Sequence, residues 1–176
     1  MATLVPENHP TLHQIASEVT PDEFHDGTVR KIIKDLRAVV QEYAVDGFVA
    51  VAIAAPQIGI SKRIFLIEDQ NADRSELPTL IAINPVITKQ SKKTHLVGEG
   101  CLSIPEYYGQ VRRSTNVTMQ ALDENGNPYE RGAGGLLAQI IQHEYDHLDG
   151  ILFTERAEVV WHKDDMPTDV QREATV

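Results

Sequence analysis

The chain has 176 residues, of which 41% are apolar and 24% are charged, with 26 Asp and Glu against 16 Lys and Arg. This is the composition of an ordinary globular domain that can bury a core. The net charge of -10 disfavours stable binding of nucleic acid or of an anionic membrane, because phosphate groups repel it. We therefore expect one globular unit, and a monomer.

The amino-terminal stretch MATLVPENHP has neither the basic start nor the long apolar run of a targeting signal. The longest apolar run, 48–55, ends at Pro56 and is shorter than the roughly 20 residues of a membrane helix. The single cysteine, Cys101, excludes an internal disulfide. These features predict a cytoplasmic protein, or a stromal or matrix protein if the chain is a mature organellar form.

The first long periodic segment, GTVRKIIKDLRAVVQEYAV, predicts an amphipathic helix that Asp26 or Thr28 can cap. The apolar segment FVAVAIAAPQIGI then predicts a buried strand, which leads into a loop that carries Gln57 and Gly59. KRIFLIED and TLIAINP predict further strands, and NVTMQALDENGNPYERG predicts a hairpin around an Asn-Gly turn. Strands in the middle and helices at the ends favour an α+β fold with antiparallel sheets.

The last long helical segment begins at Gly135 and carries a histidine pair. His143 and His147 are four residues apart, so both imidazoles lie on one helical face and can share a metal ion. Glu144 falls with them in the apolar arc, where a carboxylate is costly unless a cation or a donor is near. The opposite arc of the projection contains Ala138, Gln139, Gln142, Tyr145 and Asp146.

Two histidines do not complete a metal site, and two hydrogen-bonded core histidines would explain the pattern as well. A glutamate ligand further downstream would have to be Glu155, Glu158 or Glu173. Cys101 lies in GEGCLSIP, where the flanking glycines allow close backbone approach. A thiolate there would complete a three-ligand tetrahedral site with one position open for water. A lone cysteine, however, is more often a core residue.

Three stretches together resemble the motifs of the peptide deformylases, metalloenzymes that remove the formyl group from the initiator methionine of new bacterial or organellar proteins. They are AVAIAAPQIG (50–59), EGCLS (99–103) and QHEYDH (142–147), in the family's order and with similar spacing. The resemblance implies a peptide deformylase-like α+β fold, in which antiparallel sheets pack around a central metal-binding helix. It also implies that Cys101, His143 and His147 hold one divalent ion, usually Fe²⁺ and often replaced by Zn²⁺, Ni²⁺ or Co²⁺.

The resemblance further implies that Glu144 is the catalytic acid and base and that Gln57 contacts the reacting carbonyl. A bound cation lowers the pKa of its water, Glu144 moves the proton, and Gln57 with the backbone N–H of Leu102 stabilises the oxyanion. The substrates would be the N-formylmethionyl ends of nascent chains, and the products formate and a free amino terminus. Glu99 and Arg113 would brace the cysteine loop, or alternatively form an exposed ion pair of little worth.

Substrate contacts are expected from two extended segments and from the metal helix. The strand around 51–53 and the cysteine loop each offer an edge to which a peptide can add as a strand. An unbranched methionine side chain would fit a flexible apolar pocket walled by Leu136 and Ile140. The predicted substrate-binding residues are Val51, Ile53, Gly100, Tyr108 and Ile140.

Several features depart from the usual family pattern. Ala50 and Ala52 stand where glycines are usual, Gln139 where an apolar residue is common, and Tyr108 where a basic residue is frequent. We expect one catalytic domain in 1–154, followed by an acidic tail, 155–176, that is partly disordered or a short helix. Contact of this tail with ribosomal RNA is not expected.

Two other functions remain open at this point. One is a HExxH metallopeptidase with Glu173 as the third ligand, in which the substitution Cys101→Ala would leave the metal bound. The other is a non-catalytic relative that binds a metal or formylated peptides without turnover. Release of formate from a formyl-methionyl peptide distinguishes the three.

Overall fold

A computed structural model describes residues 2–45, 48–69 and 77–165. The helices are α1 (Pro21–His25), α2 (Thr28–Glu42), α3 (Gly135–Leu148) and α4 (Phe153–Arg156). The strands are β1 (Ala44–Val45), β2 (Phe48–Val49), β3 (Ala52–Ala54), β4 (Ile64–Ile67), β5 (Leu80–Gln90), β6 (Thr94–Cys101), β7 (Ile104–Ser114), β8 (Asn116–Leu122), β9 (Pro128–Gly134) and β10 (Ala157–His162). Within these ranges no helix has the length and apolar character needed to span a bilayer.

Two antiparallel sheets form the body of the fold. The larger has five strands in the order β3-β4-β5-β8-β9, and the smaller has three in the order β10-β7-β6. β3 and β6 are therefore edge strands, and β1 pairs with β2 separately. Because α3 contacts strands of both larger sheets, the predicted α+β fold with antiparallel sheets packed around a central helix is confirmed.

The predicted amphipathic helix is α2. Gly27, with φ 90°, occupies the N-cap position in place of Asp26 or Thr28, and the Asp26 carboxylate just before it accepts a hydrogen bond from Thr28 N at 2.8 Å. Its apolar face packs against β3 and β4, and the buried residues on it are Val29, Ile32, Ile33, Leu36, Val39 and Val40. This face supports β3, the strand that precedes Gln57.

Two hairpins follow from local signals of different strength. The predicted Asn-Gly hairpin joins β8 to β9, where Asp123 accepts hydrogen bonds from Asn125 N and Asn127 N at 2.8 Å. The predicted loop at Cys101 is instead the end of strand β6. Only Leu102 and Ser103 separate β6 from β7, and Cys101 pairs with Ile104 across this turn.

The helix α3 has little solvent-exposed surface, unlike an ordinary amphipathic helix. The arc opposite the histidines is also buried, apart from Tyr145, because the helix lies between two sheets. Its polar side chains bond to the β6–β7 hairpin. Gln139 Nε2 donates to Gly98 O at 2.8 Å, and Gln142 Oε1 accepts from Ser114 N at 3.0 Å.

The expectation of an acidic, partly disordered or helical tail from residue 155 is wrong for Ala157–His162. These residues form β10, which is antiparallel to β7. Acidic composition does not prevent this pairing, because Glu158 lies 2.7 Å from Arg112 on β7, and the following Lys163 lies 3.0 Å from Glu106. The rest of the predicted tail, from 166 onward, lies outside the described residues.

Candidate metal centre

Two elements bring three possible metal ligands together. Cys101 is the last residue of β6, and His143 and His147 lie one turn apart on α3. All three are buried, and their ligand atoms lie within 4.8 Å of one another. Cys101 Sγ is 3.2 Å from His147 Nε2. One thiolate and two imidazoles at this separation fit a single ion and leave a tetrahedral position for water or substrate.

The electrostatics of the cluster favour the thiolate that a metal requires. Burial alone would raise the pKa of Cys101, but the adjacent His147 and His143 hold it well below its usual value. Burial would likewise lower the pKa of His143, yet Cys101 and Glu99 raise it well above its usual value. A metal ion that binds here must therefore displace a proton from His143.

Glu144, which follows His143 in the sequence, has one carboxylate oxygen without a hydrogen-bond partner among the described residues. Its Oε2 is buried and, like Nδ1 of His147, has no hydrogen-bond partner among residues 2–45, 48–69 and 77–165. Buried polar atoms are rarely left unpaired in native proteins, and a water or substrate bound beside Glu144 explains its free oxygen. Burial raises the pKa of Glu144 to about 7. A carboxyl group with this pKa can take up and return a proton near neutral pH.

A buried network of charged side chains holds the His143 ring at its Nδ1 atom. Its Nδ1 is 2.9 Å from Glu99 Oε2, and Arg113 donates to both Glu99 oxygens at 2.7 and 2.9 Å. Arg113 also binds Asp146 at 2.6 Å, which Arg156 contacts at 2.6 Å from outside. Burial would raise the pKa of Glu99, but Arg113 and His143 lower it to about 2. The Glu99–Arg113 pair is buried, so the exposed-pair alternative is wrong.

Gln57 lies on a 3-10 turn directly after β3. Its Oε1 accepts a hydrogen bond from Ala54 N at 2.8 Å, which fixes the orientation of the amide. Nε2 then faces Cys101 Sγ at 3.4 Å and Ser103 Oγ at 3.3 Å. The donor end of the amide therefore points at the ligand cluster. Leu102, the other predicted oxyanion donor, occupies the turn immediately after Cys101.

The predicted substrate-binding residues do not all face one space. Val51 and Ile140 belong to one core cluster, whereas Ile53 is fully buried in a second cluster on the α2 side. The side chains of Ile53 and Ile140 are both fully buried, so neither presents free surface to a substrate. Leu136, the other expected pocket wall, is 42% exposed at the start of α3.

The alanines that replace family glycines lie against different parts of the core. Ala50 belongs to the cluster that contains α2, and Ala52 to the cluster that contains α3. Both are buried. Their methyl groups therefore fill core space, so we expect little change in substrate binding.

Gly100 and Tyr108 face each other across β6 and β7. The Tyr108 ring covers the glycine so closely that a Cβ atom at position 100 would lie 2.7 Å from the ring. Burial of the phenol raises the pKa of Tyr108. Tyr108 thus packs on the strand that leads to Cys101.

The substitution Gly100→Ala is expected to destabilise the fold by about 1–3 kcal/mol, because the added methyl group overpacks the contact with Tyr108. Urea unfolding of the metal-free protein measures this effect. Gly132→Ala on β9 is the matched control, since a Cβ there meets nothing within 4 Å. Equal unfolding midpoints for the two variants would contradict the prediction.

Asp146, Arg156 and Ser103 were not among the predicted site residues. Asp146 lies inside the histidine motif, directly before His147, but falls on the polar arc of the projection, which suggested solvent. A buried Arg113 that faces Glu99 alone would leave part of its five-donor guanidinium unpaired, and this was the available signal for a second carboxylate.

One thiolate, two imidazoles and a buried carboxylate between the histidines define the site of a mononuclear metal hydrolase. The polypeptide deformylase family model matches residues 1–161. The peptide deformylase of Chromohalobacter salexigens is 41% identical over 142 residues, which are 81% of this chain and 79% of that protein. The chain belongs to the polypeptide deformylase family.

Solved structures agree with this assignment. The peptide deformylase of Acinetobacter baumannii with bound Met-Ala-Ser superimposes with a TM-score of 0.79 at 34% identity, over 89% of this chain and 99% of that one. The enzyme of Thermotoga maritima gives a TM-score of 0.78 at 30% identity, over 90% and 99% of the two chains. The predicted family, the deformylase-like fold and the enzyme class are therefore confirmed.

Proposed function

We propose that this chain removes the N-formyl group from the methionine of newly made polypeptides and releases formate, with one divalent ion held by Cys101, His143 and His147. The observation that carries this proposal is the buried cluster of these three side chains, with the unpaired Glu144 carboxylate beside it. Met-Ala-Ser, bound to the Acinetobacter baumannii relative, has the form of a deformylated product. This supports a formylmethionyl peptide as the substrate.

The residues around the cluster have complementary roles in this reaction. When bound, a divalent ion supplies Lewis acidity, which lowers the pKa of water and polarises a carbonyl group. Glu144 accepts the proton of the attacking water and returns it to the leaving amine, and its pKa of about 7 suits both transfers. Gln57 Nε2 and the backbone N–H of Leu102 donate hydrogen bonds to the formyl oxygen as its negative charge develops.

We propose Fe²⁺ as the natural ion, with Zn²⁺, Ni²⁺ or Co²⁺ as substitutes. A site of one thiolate and two imidazoles accepts several first-row ions, so the choice of iron rests on the family resemblance. Metal analysis after anaerobic purification tests it.

The substrate peptide is proposed to add as a strand between two edges. β3, with Ile53 and the preceding Val51, offers one edge, and β6, with Gly100, offers the other. Tyr108 would act by packing on Gly100, and Ile140 by backing the space beside α3. Substrates would then be bound mainly through backbone hydrogen bonds, and the sequence beyond the first residue would matter little.

The proposed partners are nascent chains that begin with formylmethionine. The bacterial relative supports a cytoplasmic location, and a stroma or matrix location is the counterpart for an organellar form. The monomeric state and the lack of stable nucleic-acid binding stay predictions from charge and composition.

The metal-loaded protein, purified without oxygen, is expected to release formate from formyl-Met-Ala-Ser. A chelator should abolish this activity and added Fe²⁺ should restore it. Cys101→Ala is expected to lose both metal and activity, because two imidazoles alone leave the site with too few ligands.

Each rival function predicts a different result. A HExxH peptidase with Glu173, which lies outside the described residues, would keep its metal after Cys101→Ala. A non-catalytic relative would bind metal in the wild-type protein and release no formate.

A further inference from the structure

The backbone on both sides of the Gln57 Cα is held by the amino-terminal segment. Thr11 Oγ1 donates a hydrogen bond to Pro56 O at 2.8 Å. Val5 N donates to Gln57 O at 2.9 Å. Because a peptide unit is planar, these two bonds fix the peptide planes before and after the Gln57 Cα. The direction in which the Gln57 side chain leaves the backbone therefore depends on residues far earlier in the chain.

The hydrogen bond from Thr11 is buried and is made by a side chain. Thr11 is 8% exposed, and His9 Nδ1 lies 2.8 Å from its hydroxyl oxygen. The hydroxyl has one hydrogen and a carbonyl oxygen can only accept, so the bond to Pro56 forms when Nδ1 carries a proton and donates to Thr11. Gly59 N also donates to Pro56 O, at 3.1 Å, but from the end of the same turn. Thr11 therefore ties the turn to a separate part of the chain.

The position of the Gln57 amide depends on this backbone support. Oε1 accepts from Ala54 N at 2.8 Å, which sets the plane of the amide, and Nε2 faces Cys101 Sγ at 3.4 Å. A shift of the peptide plane between Pro56 and Gln57 moves Nε2 away from this position. Because an oxyanion is stabilised by donors that are already in place, a displacement of about 1 Å can lower the rate by about 10²-fold.

We propose that Thr11 is a positioning residue, whose hydroxyl holds the Pro56 carbonyl and thereby keeps Gln57 Nε2 aimed at the formyl oxygen. The proposal rests on the deformylase function proposed above, and it adds a residue that lies outside the three motif-like stretches. In this role Thr11 acts through Gln57 and contacts neither the metal nor the substrate. Because the oxyanion develops only in the transition state, loss of the hydroxyl lowers kcat and leaves KM nearly unchanged.

The test measures kcat and KM for formate release from formyl-Met-Ala-Ser in a double-mutant cycle of Thr11→Val and Gln57→Met. Thr11→Val nearly keeps the volume but lacks the hydroxyl, and it is expected to lower kcat about 10-fold with unchanged metal content. In the Gln57→Met background, the same substitution should change kcat by less than about 2-fold, because no amide donor is left to position. An unchanged kcat in Thr11→Val, equal losses in the two backgrounds, or loss of the metal would overturn the proposal.

Further variants separate positioning from a general loss of stability. Thr11→Ala also lacks the hydroxyl and should repeat the fall in kcat, whereas Thr11→Ser keeps the hydroxyl and should retain a kcat close to wild type. Thr88→Val is the matched control, because Thr88 Oγ1 on β5 also donates to a backbone carbonyl, that of Thr118, at 3.2 Å. A fall in kcat in Thr11→Ser or Thr88→Val as large as that in Thr11→Val would overturn the proposal. Absence of formate with the wild-type protein would instead contradict the deformylase function.

Discussion

Glu144→Gln is expected to lower kcat for formate release by about 10²- to 10⁴-fold while the metal stays bound. The amide has the shape of the carboxylate but cannot accept a proton from water. The substitution breaks no hydrogen bond at Oε2, which has no partner among the described residues. The measurements are formate release and metal content per chain. Loss of the metal, or activity near the wild-type level, would contradict the assigned role.

The stability of the metal-free protein gives an independent measure of the same carboxylate. Burial raises the pKa of Glu144 from 4.5 to about 7, so the folded protein holds this proton more tightly than the unfolded chain. Ionisation therefore destabilises the fold, and stability is lost as the pH rises from about 4.5 to about 7. Glu144→Gln lacks this loss. The difference in unfolding free energy between variant and wild type should grow in the variant's favour across that interval.

The parts of the fold that sequence predicts well are those fixed by neighbouring residues. The start of α2 depends on Asp26 and an apolar period, and the β8–β9 turn on Asp123 and the Asn-Gly pair, all within a few residues. β10 depends instead on a distant partner. Its Glu158 pairs with Arg112 on β7. The acidic composition of the tail cannot predict this pairing, because it depends on a residue far away in the sequence.

The metal ligands were predictable from the sequence, whereas the residues that support them were not. The spacing of His143 and His147 is a local signal, and the motif around Cys101 supplied the third ligand through a resemblance. A helical projection separates an apolar from a polar arc, but it cannot tell solvent from a second protein surface. Asp146 and Gln139 were therefore projected away from the core, although both bond to the β6–β7 hairpin.

Arg113→Met is expected to lower the free energy of unfolding by about 3–5 kcal/mol, because it removes the cation of a buried charge network. The substitution leaves Glu99, which is fully buried, and Asp146 without the cation that binds both. Glu99 has its pKa lowered to about 2 in the wild type, so its stabilising effect is present above about pH 4.5 and is lost towards pH 2. The difference between variant and wild type should therefore narrow in acid.

Arg112→Met separates the loss of a buried cation from the loss of any arginine on β7. The Arg112 side chain is 52% exposed and pairs with Glu158 at the surface, so its removal should change the unfolding free energy by less than about 1 kcal/mol. Arg113→Lys keeps the charge but cannot bind both Glu99 oxygens and Asp146 in one plane, so we expect an intermediate loss of unfolding free energy.

Because Glu99 also orients His143, Arg113→Met should weaken metal binding about 10- to 100-fold. Equal effects at 112 and 113 would mean that the buried network does not support the metal site.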